Sequence, residues 1–409
     1  MQYRDQTLYL EDVPLADIAR REGTPLYVYS RAAILERFGA YDRAFGNVPH
    51  RVCYAVKANS NLSILKLLAE SGAGFDIVSG GELFRVLKAG ADAGRVIFSG
   101  VGKTSAEIDY ALEHRIHSFN CESEPELALI DSLAARRGMK AHAALRVNPD
   151  VDAATHPYIS TGLRENKFGI DIADAEAVYD RARKLDSLIL DGVSCHIGSQ
   201  ITELAPLLEA VGKMVALMER LRARGLRIRS LDLGGGLGVA YKAGDPTPSI
   251  CEYIQAICRS TAGHDLEIII EPGRSIVAEA GALLTRVLYR KNNGDRQFVI
   301  VDAAMNDLIR PALYQSHHEI LPLRKTAGEP IVADVVGPVC ESGDFLARGR
   351  QMANVLPGDL LAICTAGAYG FVASSNYNSR PRPPEILVEG AGYRVIRERE
   401  KYDDLVRGE

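Results

Sequence analysis

The sequence predicts an α/β chain: a (β/α)8 TIM-type barrel joined to a mostly antiparallel β domain. Three observations lead there. Eight short β-rich runs alternate with helical patterns from Arg51 onward, the rhythm of a parallel sheet with crossover helices. Polar or glycine residues follow every one of those runs, at the end of the strand where barrel enzymes place their chemistry. After Arg274 strands continue without long helices between them. A doubly wound open sheet would satisfy the alternation alone; the polar strand ends favour the barrel.

In chain order, Pro14–Arg20 reads as a capping segment and Leu26–Tyr29 as a strand, with Ser30 as N-cap of a helix over Arg31–Phe45. The eight runs are Val52–Val56, Gly74–Val78, Val96–Ser99, Ser118–Asn120, Ala143–Val147, Gly192–Cys195, Ser230–Leu233 and Glu267–Ile270. Helical patterns fall between them, from Leu62–Ala69 through Ser249–Ala262. One insertion is long: Asp150 to about Gly169, of the kind that usually forms a lid or active-site loop. Further strands are expected at Leu283–Tyr289, Phe298–Asp302, Ile331–Val336, Leu360–Cys364, Glu385–Val388 and Tyr393–Ile396. The domain boundaries read as 30–280 for the barrel, with 1–29 and 281–409 forming a discontinuous β domain.

Length and charge limit the function. At 409 residues the chain exceeds the roughly 250–300 at which one core stops growing, so two domains are expected. A net charge of -5 without a basic stripe argues against a nucleic-acid partner. No apolar run is long enough to span a bilayer and no signal-peptide core precedes the first elements, so no membrane association and a cytoplasmic location are expected. Seven cysteines with no CxxC pair suggest neither a disulfide framework nor a metal site.

The chemistry-bearing positions sit at the strand ends. Lys57 closes the apolar run Tyr54–Val56; either it snorkels its amine to water, or it is a nucleophile that forms a Schiff base with a carbonyl cofactor. The glycines of Asp232–Gly238 follow the seventh run, where barrel folds commonly bind phosphate on backbone N–H groups, although a glycine triplet is also a tight turn. Glu271-Pro272-Gly273-Arg274 follows the eighth: a local ion pair, or a carboxylate facing a pyridine nitrogen. His196 ends the sixth run before a Gly-Ser turn, where its flat ring suits stacking on a cofactor. In the second domain, Gly337–Asp344 holds Cys340 and Glu341 among turn residues, and Asn306–Tyr314 and Ala366–Gly370 carry Arg310, Tyr314 and Tyr369.

The ordered series YAVKAN, FDIVSGGE, HPYISTGL with ENKFG, HIGSQ, DLGGGLG, EPGR, MNDLIRPALY, GPVCESGD and GAYGF, from about Leu26 to Pro383, resembles the barrel-type (fold type III) pyridoxal-phosphate-dependent decarboxylases, and among them the branch acting on meso-diaminopimelate. The resemblance implies pyridoxal 5'-phosphate on Lys57, with Asp76, His196, Ser199, Gly235, Gly236, Glu271, Gly273, Arg274 and Tyr369 around the cofactor. It implies Arg274, Arg310, Tyr314, Glu341 and Tyr369 on an amino-acid substrate; the proton that must return to the α-carbon is expected from Cys340 or a water it positions. It further implies a homodimer in which Cys340 and Glu341 reach the neighbouring subunit's site. A non-catalytic pyridoxal-phosphate carrier, an amino-acid racemase and a decarboxylase of a related acid are the rivals. The second domain argues against the first, and a carboxylate at the pyridine nitrogen against the second.

Overall fold

The structure is a computed structural model that describes residues 1–152 and 167–409. Its chain divides into two compact units, one of residues 37–239 and 246–275, the other of residues 1–36, 240–245 and 276–409.

The first unit is a closed parallel barrel. Its strands are His50–Ala55, Gly74–Ile77, Val96–Phe98, Ser118–Cys121, Ala141–Asn148, Leu188–Ser194, Ser230–Asp232 and Glu267–Ile270. Each pairs in parallel with the next, and the eighth returns to the first through Ile268↔His50 and Ile270↔Val52. Closure removes the exposed edge that an open sheet would leave.

The helices around it follow from local signals. In Leu62–Glu70 the apolar residues Ile64, Leu65, Leu67 and Leu68 are buried, and the Asn61 side chain caps the first turn by accepting the Ser63 N–H. Thr104 with Glu107 and Ser249 with Glu252 form capping boxes at Ser105–Glu113 and Ile250–Ser260. Such caps satisfy the orphan N–H groups of a first turn and set where each crossover helix begins.

The second unit is built on Gly281–Asn293, a strand of 13 residues that pairs antiparallel with Leu26–Ser30, Arg296–Val301 and Leu360–Ile363. Two pairings in this sheet are parallel, Glu385–Glu389 with Leu26–Ser30 and Ile331–Val336 with Arg296–Val301. Its core includes Leu26, Val28, Leu284, Ile386 and Val388, all fully buried; each such side chain contributes about 1.5–3 kcal/mol relative to exposure.

Two features differ from the sequence expectation. The expected capping segment Pro14–Arg20 is mostly the helix Leu15–Glu22, and the residues before it form a three-stranded sheet of Gln2–Arg4, Thr7–Leu10 and Val13–Pro14. Phe345–Met352 is a strand although it carries Arg348, Gly349, Arg350 and Gln351; its antiparallel pairing with Ile331–Val336 overrides a polar composition that reads as loop. The expected lid, with its HPYISTGL motif, lies largely outside the described residues.

Candidate active site

Each barrel strand delivers one or two polar groups to the same end, and their hydrogen bonds tie neighbouring strands together. Lys57 lies on a single 3-10 turn, Val56–Ala58, that follows the first strand. Its Nζ is 2.9 Å from Oδ2 of Asp76, which is fully buried on the second strand. The sequence suggested an amine in apolar surroundings; the structure gives it a buried carboxylate partner instead, supplied by the adjacent strand. An ammonium there is balanced by an opposite charge rather than left to desolvation.

Next to this pair sits a polar cluster. The Asn120 amide donates to Asp232 Oδ2 at 2.8 Å and to Glu271 Oε1 at 3.1 Å, and the Ser99 hydroxyl also reaches Glu271 Oε1 at 3.3 Å. All four residues are buried. Burial pushes the Asp232 carboxyl up to about 6, against the lowering effect of Asn120 and the Gly234 N–H. Burial, with Asp232 and Asp76 beside it, holds the Glu271 carboxyl well above the ordinary range. Arg146 on the fifth strand donates to Glu122 Oε1 at 3.0 Å, and Glu122 Oε2 accepts the Gly169 N–H at 2.7 Å.

His196 follows the sixth strand. Its Nδ1 accepts the Gly235 N–H at 3.2 Å, which leaves the proton on Nε2. Burial, with Arg146 and Lys57 nearby, drives its protonation well below the usual imidazole range, so the ring is neutral. Beside it the glycines make close approaches. A Cβ on Gly235 would lie 2.4 Å from the Glu271 carbonyl oxygen, one on Gly236 2.7 Å from Gly198 O, and one on Gly273 2.9 Å from the Ala58 Cβ. Gly236 also has φ +113, in the region that favours glycine. The Arg274 guanidinium donates to Ser199 Oγ at 2.9 Å.

Lys57, Ser99, Asn120, Arg146, Ser194, His196 and Glu271 line one cavity of about 400 Å³, within the size range of cofactor pockets. Of the cofactor residues named from sequence, Lys57, His196 and Glu271 line it directly and Asp76 holds Lys57. Ser199, Gly235, Gly236, Gly273 and Arg274 lie in the adjoining loops of the same unit. The sequence reading had not singled out Asn120, Asp232, Ser99, Arg146, Glu122 or Ser194 as site residues. Their only sequence signal is a polar side chain at a strand's end.

The remaining expected residues lie in the β unit. Arg310 is buried; its Nε donates to His318 Nε2 at 3.4 Å, its Nη2 to Ser316 Oγ at 3.2 Å, and its guanidinium lies 4.7 Å from the Tyr241 ring centroid. Tyr314 ends the same short helix, Arg310–Tyr314. Tyr369 has φ +56 in a segment drawn close to the backbone of its own unit, since a Cβ on nearby Gly367 would meet Val277 O at 1.9 Å. Cys340 and Glu341 are both exposed, and the Cys340 N–H donates to Asn378 Oδ1 at 3.0 Å. Glu341 also borders a cavity of about 770 Å³ with Arg296, Phe298 and Arg348. Among the described residues no cluster of metal-ligating side chains occurs, and no helix is long and apolar enough to cross a membrane.

Comparison with known proteins gives these groups a context. Residues 31–278 match the family model "Pyridoxal-dependent decarboxylase, pyridoxal binding domain". The chain is 56% identical over 407 residues to a diaminopimelate decarboxylase of Pseudomonas aeruginosa, covering 100% of this chain and 98% of that one. It superposes on the crystal structure of Helicobacter pylori diaminopimelate decarboxylase complexed with L-lysine with TM-score 0.92 and 46% identity, over 96% of this chain and 98% of that one. The corresponding figures for the crystal structure of diaminopimelate decarboxylase from M. jannaschii are 0.95 and 37%, over 100% and 96%.

Proposed function

The chain belongs to the pyridoxal-dependent decarboxylases, and on that premise we propose a division of labour among its residues in converting meso-2,6-diaminopimelate to L-lysine and carbon dioxide. It is a carboxy-lyase that depends on pyridoxal 5'-phosphate, and the reaction is the last step of lysine synthesis. One observation supports the assignment of roles above the others: Lys57 and Glu271 line the same cavity.

The residues present fit the cofactor. Gly235, Gly236 and Gly273 leave room that a side chain would fill, which lets backbone N–H groups approach a phosphate. Ser199 and Arg274 add a hydroxyl and a guanidinium. The Ser194 hydroxyl is buried with no hydrogen-bond partner among the described residues and borders the cavity, so it is available to a polar ligand group. When bound, the cofactor supplies an electron sink for the carbanion left by departing carbon dioxide.

Lys57 would hold the cofactor covalently, its amine oriented by Asp76. Glu271 would partner the pyridine nitrogen and govern its proton. The neutral His196 ring, fixed in orientation by the Gly235 N–H, would stack on the cofactor. Tyr369 contacts both cofactor and substrate. The substrate carries an amino-acid head at each end, so its remote end requires a cation partner for the carboxylate and an anion partner for the ammonium. Arg310 or Arg274 takes the carboxylate with charge-assisted bonds, Tyr314 assists, and Glu341 takes the ammonium. Excluding substrates that lack either charge follows from leaving a buried group unpaired. The carbon that loses carbon dioxide must regain one proton, and the donor in this reading is Cys340 or a water it positions.

Cys340 and Glu341 act in the neighbouring subunit's site of a homodimer. Their exposure on the β unit supports this. A cytoplasmic location is supported by seven free thiols. The discriminating experiment is carbon dioxide release from meso-diaminopimelate, lysine, ornithine and arginine in parallel. Release from diaminopimelate alone supports the reading, and preferential release from a diamine precursor refutes the two-charge recognition.

A further inference from the structure

The barrel holds a second cavity, of about 170 Å³, bordered by His117, His142, Asp191, Arg229 and Glu267 at the amino ends of the strands and by Asn120 and Asp232 at its inner end. Asn120 lines this cavity and the cofactor cavity alike, whereas Asp232 lines only the lower one and Glu271 only the upper. Small residues keep the lower lumen open: Ala143, Ala144, Gly192 and Ser230 are its walls, and a Cβ on Gly192 would already meet Ser230 Oγ at 2.7 Å and the Ala144 Cβ at 3.0 Å.

Between the two cavities the carboxyl groups meet. One amide nitrogen, Asn120 Nδ2, bonds both at 2.8 and 3.1 Å. Bonded to one nitrogen, the Asp232 and Glu271 carboxyls lie close together and each acts on the other's ionisation. Two buried carboxylates this close do not both ionise. Asp76 adds a third negative group and Lys57 a positive one, and other titratable groups facing the pair are Cys53, Cys195 and, toward Asp232, Tyr253.

We infer that Asp232 is a positioning residue for Glu271: the two carboxyl groups hold one proton between them under the Asn120 clamp, and the lower cavity is that proton's route to solvent. In this relay, a proton entering from below is taken up by Asp232 as Glu271 releases its own upward, so the pair carries a single negative charge before and after. Glu271 can then set the protonation of a ring nitrogen whose upper side is closed by the bound cofactor and substrate. The inference rests on the proposed function only for what the proton serves; the sharing itself is a property of the cofactor-free chain.

The test therefore uses cofactor-free protein. The carbonyl stretch of protonated carboxyls is followed by infrared difference spectroscopy against pH, with the Glu271 band assigned by its loss in Glu271→Gln, since Glu82 and Asp307 also hold raised carboxyls. Wild-type protein should lose the Asp232 and Glu271 protons in two separated steps. In Asp232→Asn the Glu271 midpoint should fall by about one pH unit or more, the usual scale for removing an adjacent like charge. A single shared midpoint in wild type, which needs no variant to fold, or an unmoved Glu271 midpoint in Asp232→Asn, would overturn the sharing. Ser118→Leu, which fills the lower cavity two residues before Asn120 and at a side chain bonded to neither carboxyl, should slow the infrared response to a pH jump at least tenfold while leaving both midpoints in place. An unchanged rate removes the route. Because no substrate is present, the result stands apart from whether diaminopimelate is the amino acid consumed.

Discussion

Substituting Gly235 by alanine tests whether the loop after the seventh strand is fitted to the cofactor or is only a turn. The added Cβ would sit 2.4 Å from the Glu271 carbonyl oxygen and 3.1 Å from its carbon. Both are backbone atoms, so no side-chain rotation relieves the contact, and one loop has to move by more than half an ångström to reach even 3.0 Å. Overpacking of this kind costs about 1–3 kcal/mol. The same loop carries the N–H that orients His196, and the displaced partner carries Glu271, so the cost falls on the geometry of the cofactor cavity. Expressed as affinity, 1–3 kcal/mol is about a 5- to 150-fold weaker cofactor Kd. The assay is equilibrium titration of cofactor-free protein with pyridoxal 5'-phosphate, read by absorbance. Gly212→Ala, where a Cβ meets nothing within 4 Å, serves as the control. A Gly235→Ala variant that binds within twofold of wild type would refute the reasoning, as would equal weakening in the control.

Other expectations follow from single residues. Borohydride reduction of the holoenzyme should fix the cofactor on Lys57, and peptide mapping that recovers the label on another lysine would contradict the site. Glu341→Ala should raise the KM for diaminopimelate at least tenfold with little change in cofactor affinity. Mixing Lys57→Ala, which is inactive, with Glu341→Ala, assayed at diaminopimelate well below its raised KM, should restore up to about a quarter of the wild-type activity if sites are shared between subunits, and no recovery after subunit exchange argues against sharing. Burial, with Arg51 and His142 nearby, pushes His117 down to about 4. An unfolded histidine titrates near 6.5, so between those values the unfolded chain binds a proton that the folded one does not. Stability should therefore fall by about 2–3 kcal/mol as pH drops through that window. His117→Gln should flatten denaturant midpoints over the same range, and an unchanged slope would count against the assignment.

The legible part of the site is the part that chain order fixes. A run of alternating strands and helices places the residue after each strand at one end of the barrel, so Lys57, His196 and Glu271 were readable as a set before any coordinates. What surrounds them was not. Lys57 looked like an amine in apolar surroundings because its neighbours in sequence are Val56 and Ala58; its actual partner, Asp76, is brought by register, through Ala55↔Asp76. Phe345–Met352 was missed for the same reason, since a strand made by pairing leaves little trace in its own composition.

By itself, then, the sequence determined the order of elements, the alternation that closes eight strands, and the chemical type of group at each strand's end, all of which depend on local periodicity and chain connectivity. Only the tertiary structure decided which of those groups bond across the lumen. Asn120, Asp232 and Glu271 come from the fourth, seventh and eighth strands, and the tilt and stagger of a closed barrel, rather than any spacing along the chain, set them within hydrogen-bond reach.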